Sequence, residues 1–313
     1  MYNEREMLVF HVESSLHAGA GARIGHIDNP IQRETATGNP IVQANGVKGA
    51  LREFFEKTEP NEKSGKIKAA FGGEDGNDGA GAAAFGEARL LFFPVRSLSG
   101  IFAYISCETV IARFQRDLIA LGKSPLMSTE EDGKQKIWTP SVIGNSYQAH
   151  EQNIVQISQD GTLILEELPF DMDNDPQAGP CLEKLADLLF PNTPEYFFFK
   201  GNFSKRAVIL NDEDYFYFVK YATEVEPHNR IDDKTGTVDE KTGVWYTEYL
   251  PSESILYSSL FIGTPHIKTE SFENSVQVKT FLQKLDGQRS WMGGDRTTGK
   301  GRVMIHMLKE VAS

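Results

Sequence analysis

Short apolar runs of strand length take turns with amphipathic stripes of helical period along this chain. A chain so patterned has few ways to bury all of its apolar faces. Leu8 to Ser14 reads as a strand, and Asn45 to Lys57 as a helix with Asn45 as N-cap and Val47, Ala50, Leu51 and Phe54 on one stripe. Leu90 to Val95 and Ile101 to Ser106 read as two strands around a turn, followed by a helix from Thr109 to Leu121. Arg206 to Leu210 is a further strand, and Asp212 can cap a helix running to Tyr221. Val276 to Leu285 reads as a helix, and Arg302 to Leu308 as a closing strand with Val303, Ile305 and Met307 on one side. The alternation predicts an α+β sandwich with helices on one face of a sheet, and no repeat of fixed period interrupts it.

Composition excludes several classes. Of 313 residues, 40% are hydrophobic and 11% aromatic, enough to build a sizeable core. No apolar run approaches the ~18 residues of a membrane span, so no membrane association is expected. Met1 to Glu6 is polar and is not read as a secretory signal. Two cysteines, Cys107 and Cys181, make neither a disulfide framework nor a four-thiolate zinc site, and a reducing, cytoplasmic setting is expected. The net charge of −12 speaks against a protein that simply coats nucleic acid. The excess is uneven, however. Glu151 to Asp187 holds nine acids and one lysine, whereas Met1 to Arg52 has five acids and five basic residues. Asp286 to Ser313 has three acids and five basic residues.

The residues that carry chemistry lie at the two ends and in one hairpin. After the first strand a glycine-studded loop, HAGAGARIGHIDNPIQRE, runs from His17 to Glu34. Pro30 restricts Asn29 to extended conformations, so Asp28 sits on a loop leaving the sheet, where its carboxylate can project. An isolated aspartate there commonly makes an Asx-turn or stays a solvated loop acid, but here His17, Arg33 and several glycines accompany it. Lys48 falls in the first turn of the next helix, with Arg52 one turn on. A cation at a helix N-terminus opposes the macrodipole unless an anion such as phosphate sits there; a solvent-facing charged stripe is the alternative.

Near the C-terminus, GGDRTTGKGRVMI resembles a phosphate-binding P-loop, but Gly301 stands where the metal-binding hydroxyl belongs and a strand follows where a helix is required. Nucleotide hydrolysis is therefore rejected, while Arg296, Lys300, Arg302 and free backbone amides suit a phosphodiester backbone. Val225 to Ile231 and Gly243 to Leu250 read as a long β-hairpin, in which Glu248 with Tyr246 and Tyr249 offers acid/base or metal-binding groups or ordinary half-exposed strand residues. His11, His150, His266 and His306 lack metal-ligand spacing and are read as structural.

Taken together, HAGAGARIGHIDNPIQRETATGNPIV, VKGALR, ARLLFFPVRSLSG, PHNRIDDKTGTV, WYTEYLP and GGDRTTGKG resemble the RAMP superfamily of CRISPR proteins. Within it they resemble the backbone subunits of type III-B (Cmr) effector complexes. The resemblance implies a single RAMP domain over 1–313, with a ferredoxin-like (RRM-like) palm. It also implies a thumb hairpin at about 222–251 and an acidic insertion at about 126–190. It implies partners too: a CRISPR RNA, a complementary single-stranded target RNA, head-to-tail copies of the chain and other Cmr subunits. The activity implied is metal-dependent endonucleolytic cleavage of the target at regular intervals. By position the resemblance implies Asp28, His17, Glu248 and Tyr249 as catalytic residues, and Asp28 as ligand of a divalent metal, Mg or Mn. Lys48, Arg52, Arg33, Arg96, Arg296 and Lys300 are the implied RNA contacts. A guide-binding RAMP subunit without cleavage is the alternative.

Overall fold

In a computed structural model, residues 2–22, 24–73, 79–131, 134–157, 161–231, 236–238, 243–266 and 272–308 are described. The first strand, Tyr2–Val12, is buried without a break from Glu6 to Val12. A strand with one wet face would alternate; a continuous buried run needs cover on both sides. The same holds for Ala88–Arg96, where Leu90 to Phe93 are all buried, and for Arg302–Met307, where Met304 and His306 are as buried as Val303, Ile305 and Met307. The sheet is thus covered on both faces.

Four strands form the centre. In chain order they are Tyr2–Val12, Ala88–Arg96, Ile255–Gly263 and Arg302–Met307. In space the first lies between the fourth and the third, and the second flanks the third, with every pairing antiparallel. Leu8 stands opposite both Ser258 and Met307. Helix Ala44–Thr58 follows the first strand and helix Ser275–Leu282 follows the third. Phe55 of one stacks on Phe281 of the other at 4.4 Å between ring centroids, closing this part of the core. Beyond the second strand the sheet continues through Phe102–Cys107, then Ala207–Leu210 in parallel, then Ser146–Ala149 and Leu168–Met172. The acidic segment therefore builds one end of the sheet, and its helix Ala178–Leu189 buries Cys181, Leu182, Leu185 and Leu189.

Two caps differ from expectation. Helix Ala44–Thr58 begins one residue earlier than predicted, with Gln43 as N-cap; the Asn45 side chain accepts from the Gly46 amide inside the first turn. Helix Asp212–Tyr221 is capped by Asn211, whose side chain accepts from Asp214 N–H at 2.8 Å. Asp212 instead receives the Thr109 amide at 3.1 Å and so ties two helix starts together. The apolar run ILYSSLFIG forms a further strand, Ile255–Gly263, the longest partner of the first strand.

Candidate functional site

The hairpin forms as expected, Glu224–Asn229 against Val244–Tyr249, with His228 opposite Trp245 and Glu224 opposite Tyr249. Its expected loop DDKT, residues 232–235, lies outside the described residues, as do residues 239–242. The Asp28 loop adds a third backbone along the outer edge of Val244–Tyr249, with Asn29 bridged in parallel to Thr247. Tyr246 N–H donates to Asp28 Oδ2 at 2.8 Å, and Asp28 N–H donates back to the Tyr246 carbonyl at 3.1 Å. This carboxylate makes no local Asx-turn. It caps an edge amide 218 residues away, and its second oxygen has no partner among the described residues.

Glu248 anchors the same junction from below. Its carboxylate is buried and receives Ile31 N–H at 3.0 Å, Arg33 at 2.5 Å and the Thr223 hydroxyl at 2.9 Å. With both oxygens engaged and no exposed face, it holds the loop in place and offers nothing to a substrate. Arg33 extends the clamp by donating to the Val219 carbonyl at 2.9 Å. His17 Nδ1 lies 2.8 Å from the Glu248 carbonyl, which can only accept, so Nδ1 carries the proton and Nε2 is left as the second nitrogen. A side chain at Gly19 would place its Cβ 2.7 Å from that Nε2; glycine keeps it uncovered. His17 and Asp28 share no hydrogen bond among the described residues.

Tyr249 is fully buried against His17, ring to ring at 5.6 Å. Burial, then its bond to the Asp295 carboxylate, push its hydroxyl well above the usual tyrosine range, so it stays protonated. Tyr249 is thus a framework residue rather than an exposed reagent.

The terminal glycine loop is the hub that joins these parts. Gly294 N–H donates to the His17 carbonyl at 2.9 Å and Gly301 N–H to the Ser15 carbonyl at 2.8 Å. The approach is so close that a Cβ at Gly293, whose φ is +74°, would fall 2.2 Å from the His17 carbonyl oxygen. In place of a P-loop helix there is one 3₁₀ turn, Arg296–Thr298, before the closing strand. Arg296 pairs with Glu53 on helix Ala44–Thr58, and Lys300 pairs with Glu226 on the hairpin at 2.5 Å while lying 4.4 Å over the Tyr249 ring. The Arg296 guanidinium and the Lys57 ammonium hold Glu53 below the usual carboxylate range.

The expected RNA contacts now divide. Arg33, Arg296 and Lys300 are gathered around the hairpin base, each on a carboxylate. Arg52 pairs with Glu56 on its own helix and donates to the Gly72 carbonyl. Arg96 stands apart, at the tip of the Ala88–Arg96/Phe102–Cys107 pair, bonded to Glu166 of the acidic segment. Lys48 is the fifth residue of its helix, just past the first turn expected for it, because the helix starts at Ala44; it is partly exposed and has no carboxylate partner among the described residues. It therefore presents a whole positive charge. The carboxylates on Arg33, Arg96, Arg296 and Lys300 come from segments distant in sequence and left no local signal; Glu56 lies one turn from Arg52 on the same helix.

A metal fits poorly. Among the described residues no three His, Cys, Asp or Glu stand together in a group able to hold an ion. Asp28 alone, with one oxygen already taken by an amide, does not make a resident site for a hard cation that needs ~6 oxygens. Among the described residues, no helix is long and apolar enough to cross a membrane.

The RAMP superfamily model matches residues 9–304. The Cmr endoribonuclease Cmr4 of Pyrococcus furiosus is 33% identical over 300 residues, covering 95% of this chain and 93% of that protein. The crystal structure of oligomeric Cmr4 from Pyrococcus furiosus superposes with a TM-score of 0.74 at 27% identity, over 99% of each chain. A chain of the type III-B Cmr-beta complex bound to cognate target RNA shares the fold, with a TM-score of 0.70 at 18% identity over 98% of each chain. The chain belongs to the RAMP superfamily and, within it, to the Cmr4 family.

Proposed function

We infer that this chain is the backbone subunit of a type III-B (Cmr) effector complex and cleaves complementary target RNA endonucleolytically along a bound CRISPR RNA, with Asp28 as catalytic residue. The observation that carries this reading is the joint between loop and hairpin: Asp28 is fixed on the hairpin edge at Tyr246 with one carboxylate oxygen uncommitted. The relative from Pyrococcus furiosus is named an endoribonuclease of the Cmr system, and a solved relative is described as oligomeric. Both support activity and head-to-tail stacking of copies here, alongside other Cmr subunits. The four central strands, in spatial order fourth, first, third, second with two crossing helices, read as a ferredoxin-like palm. The hairpin Glu224–Asn229/Val244–Tyr249 reads as the thumb, within one RAMP domain that carries the acidic insertion.

The chemistry follows from RNA itself. A thumb that displaces one base turns the backbone toward in-line attack by the adjacent 2′-hydroxyl, a proximity effect. Asp28 accepts the proton of that hydroxyl as general base. Glu248 and Arg33 act as positioning residues that keep the Asp28 loop on the hairpin. Lys48, with Arg296 and Lys300 once their carboxylates yield, takes guide phosphates. Any Mg or Mn the reaction uses would be held mainly by RNA phosphates and water, because the described residues build no cage for it.

Purification after co-expression with a CRISPR array, sequencing of the bound RNA, and challenge with a complementary RNA test this directly. Guide-length RNA in the complex and cuts at regular spacing are expected. A bound guide with an intact, stably held target would leave the non-cleaving structural subunit as the correct reading.

A further inference from the structure

A second constellation sits on the opposite face of the hairpin from Glu248, around the buried Tyr249 hydroxyl. Asp295 Oδ2 lies 2.9 Å from that hydroxyl and His228 Nε2 lies 3.0 Å from it. Tyr249 has one hydroxyl proton. The Asp295 carboxylate can only accept, so that proton goes to Asp295, and the hydroxyl oxygen accepts in turn from His228 Nε2–H. The tautomer of His228 is thereby settled: Nε2 is bound, and Nδ1 is the ring edge without a partner among the described residues. Trp245 stacks on the imidazole at 5.8 Å and 17°, which fixes the ring plane. An acid orienting an imidazole through a hydroxyl, with the far nitrogen unpartnered among the described residues, is an arrangement suited to proton transfer.

Its location matches the chemistry. His228 is paired in register with Trp245, and Asp28 is bonded to the next residue, Tyr246. The two groups therefore share one level of the hairpin on opposite edges of strand Val244–Tyr249. Two strand spacings separate their backbones, about 10 Å, a gap that one phosphodiester and two side chains reaching toward it can span. Asp295 holds its place with a left-handed backbone, φ 58°, in the hub loop. The other charged groups around the relay are Lys300 over the Tyr249 ring, Glu226 paired with that lysine, and His17 against the same ring.

We propose that His228 is the general acid of target-RNA cleavage, donating its Nδ1 proton to the departing 5′ oxygen, with Tyr249 and Asp295 as the residues that position it. This rests on the endoribonuclease reading above. The 2′ oxygen bonds to phosphorus and its proton passes to Asp28; the bond from phosphorus to O5′ breaks, and O5′ takes the proton from His228. The products are a 2′,3′-cyclic phosphate and a 5′-hydroxyl end, and water afterwards returns the proton from Asp28 to His228.

The test uses the assembled complex with its guide and two targets, one ordinary and one with sulfur replacing the bridging 5′ oxygen at the cut site. Thiolate departs without a proton, so it bypasses a general acid. His228→Asn is expected to cleave the ordinary target at least ~100-fold more slowly, to bind it as tightly as before, and to cut the sulfur-bridged target within a few-fold of the parent. Tyr249→Phe removes the hydroxyl that orients the imidazole, so it should slow the ordinary target and leave the sulfur-bridged one within a few-fold of the parent. Equal impairment of His228→Asn on both targets, or an unimpaired rate on the ordinary target, overturns the proposal. Failure of the parent complex to cut either target contradicts instead the endoribonuclease reading on which it rests.

Discussion

Glu248 carries three donors on one buried carboxylate, and that arrangement decides what it can do. Replacing one of its oxygens by an NH2 group leaves either the Ile31 amide or the Arg33 and Thr223 pair without an acceptor, and takes the countercharge from partly buried Arg33. Glu248→Gln should lower stability by about 2–3 kcal/mol, read by equilibrium denaturation; an unchanged midpoint would mean that the clamp holds nothing. Gly19 acts in the opposite way, by having no side chain. An added methyl group would meet His17 Nε2 at 2.7 Å while Nδ1 is tied to the Glu248 carbonyl, so the ring itself must shift. Gly19→Ala should reduce single-turnover cleavage by roughly 10–100-fold, the scale of a small misplacement near the reacting atoms. Its melting temperature should stay that of the parent. Wild-type cleavage in this variant would remove His17 Nε2 from the site.

At the scale of elements, the seam between the first strand and helix Ala178–Leu189 has its own pH signature. His11 Nε2–H donates to the Leu189 carbonyl at 2.8 Å between the rings of Phe190 and Tyr196. Burial, despite that bond and with the nearby His306 adding to it, lowers its pKa to about 4. The unfolded chain binds this proton near pH 6.5 and the folded one does not, so stability is full above pH 6.5 and falls as the pH drops toward 4. The loss attached to His11 alone approaches about 3 kcal/mol. Melting temperature measured from pH 7 to pH 4 should fall accordingly, and His11→Gln should flatten the trend. For helix Ala44–Thr58 the expected reader is salt: Lys48→Ala should flatten the slope of log affinity for RNA against log salt by about one unit, whereas an unchanged slope would take Lys48 off the phosphate path. Much at this scale was legible beforehand. The hairpin, both crossing helices and the first strand follow from local periodicity. The caps at Gln43 and Asn211, the strand Ile255–Gly263 and the carboxylate partners of five of the six expected RNA contacts were not. The partners of Arg33, Arg96, Arg296 and Lys300 lie far away in sequence. The caps and the Arg52–Glu56 pair are local, but neighbouring polar residues compete for those roles. A buried strand reads as an apolar run that periodicity alone does not distinguish from a helix.

For the molecule as a whole, the net charge of −12 gives way to a division of labour. The acidic excess of Glu151 to Asp187 lies in the segment that extends the far end of the sheet, where Glu166 binds Arg96 and Glu183 binds His150. The neutral first segment and the basic last one meet at the hairpin base, through Gly294 on the His17 carbonyl and Lys300 on Glu226. On the function proposed above, one region of the protein takes a phosphate backbone and the other discourages it. That Asp28 would project its carboxylate from this loop was legible in the DNP turn, and it is part-exposed there; that its partner would be an edge amide of the hairpin was not, because the bond spans 218 residues. Asp28→Asn keeps an oxygen that can accept from Tyr246 N–H but removes the proton acceptor, so the decisive measurement is single-turnover cleavage by the assembled complex carrying it. Cleavage reduced by at least ~100-fold with guide content and target affinity unchanged is the predicted result. Cleavage at the parent rate would contradict it.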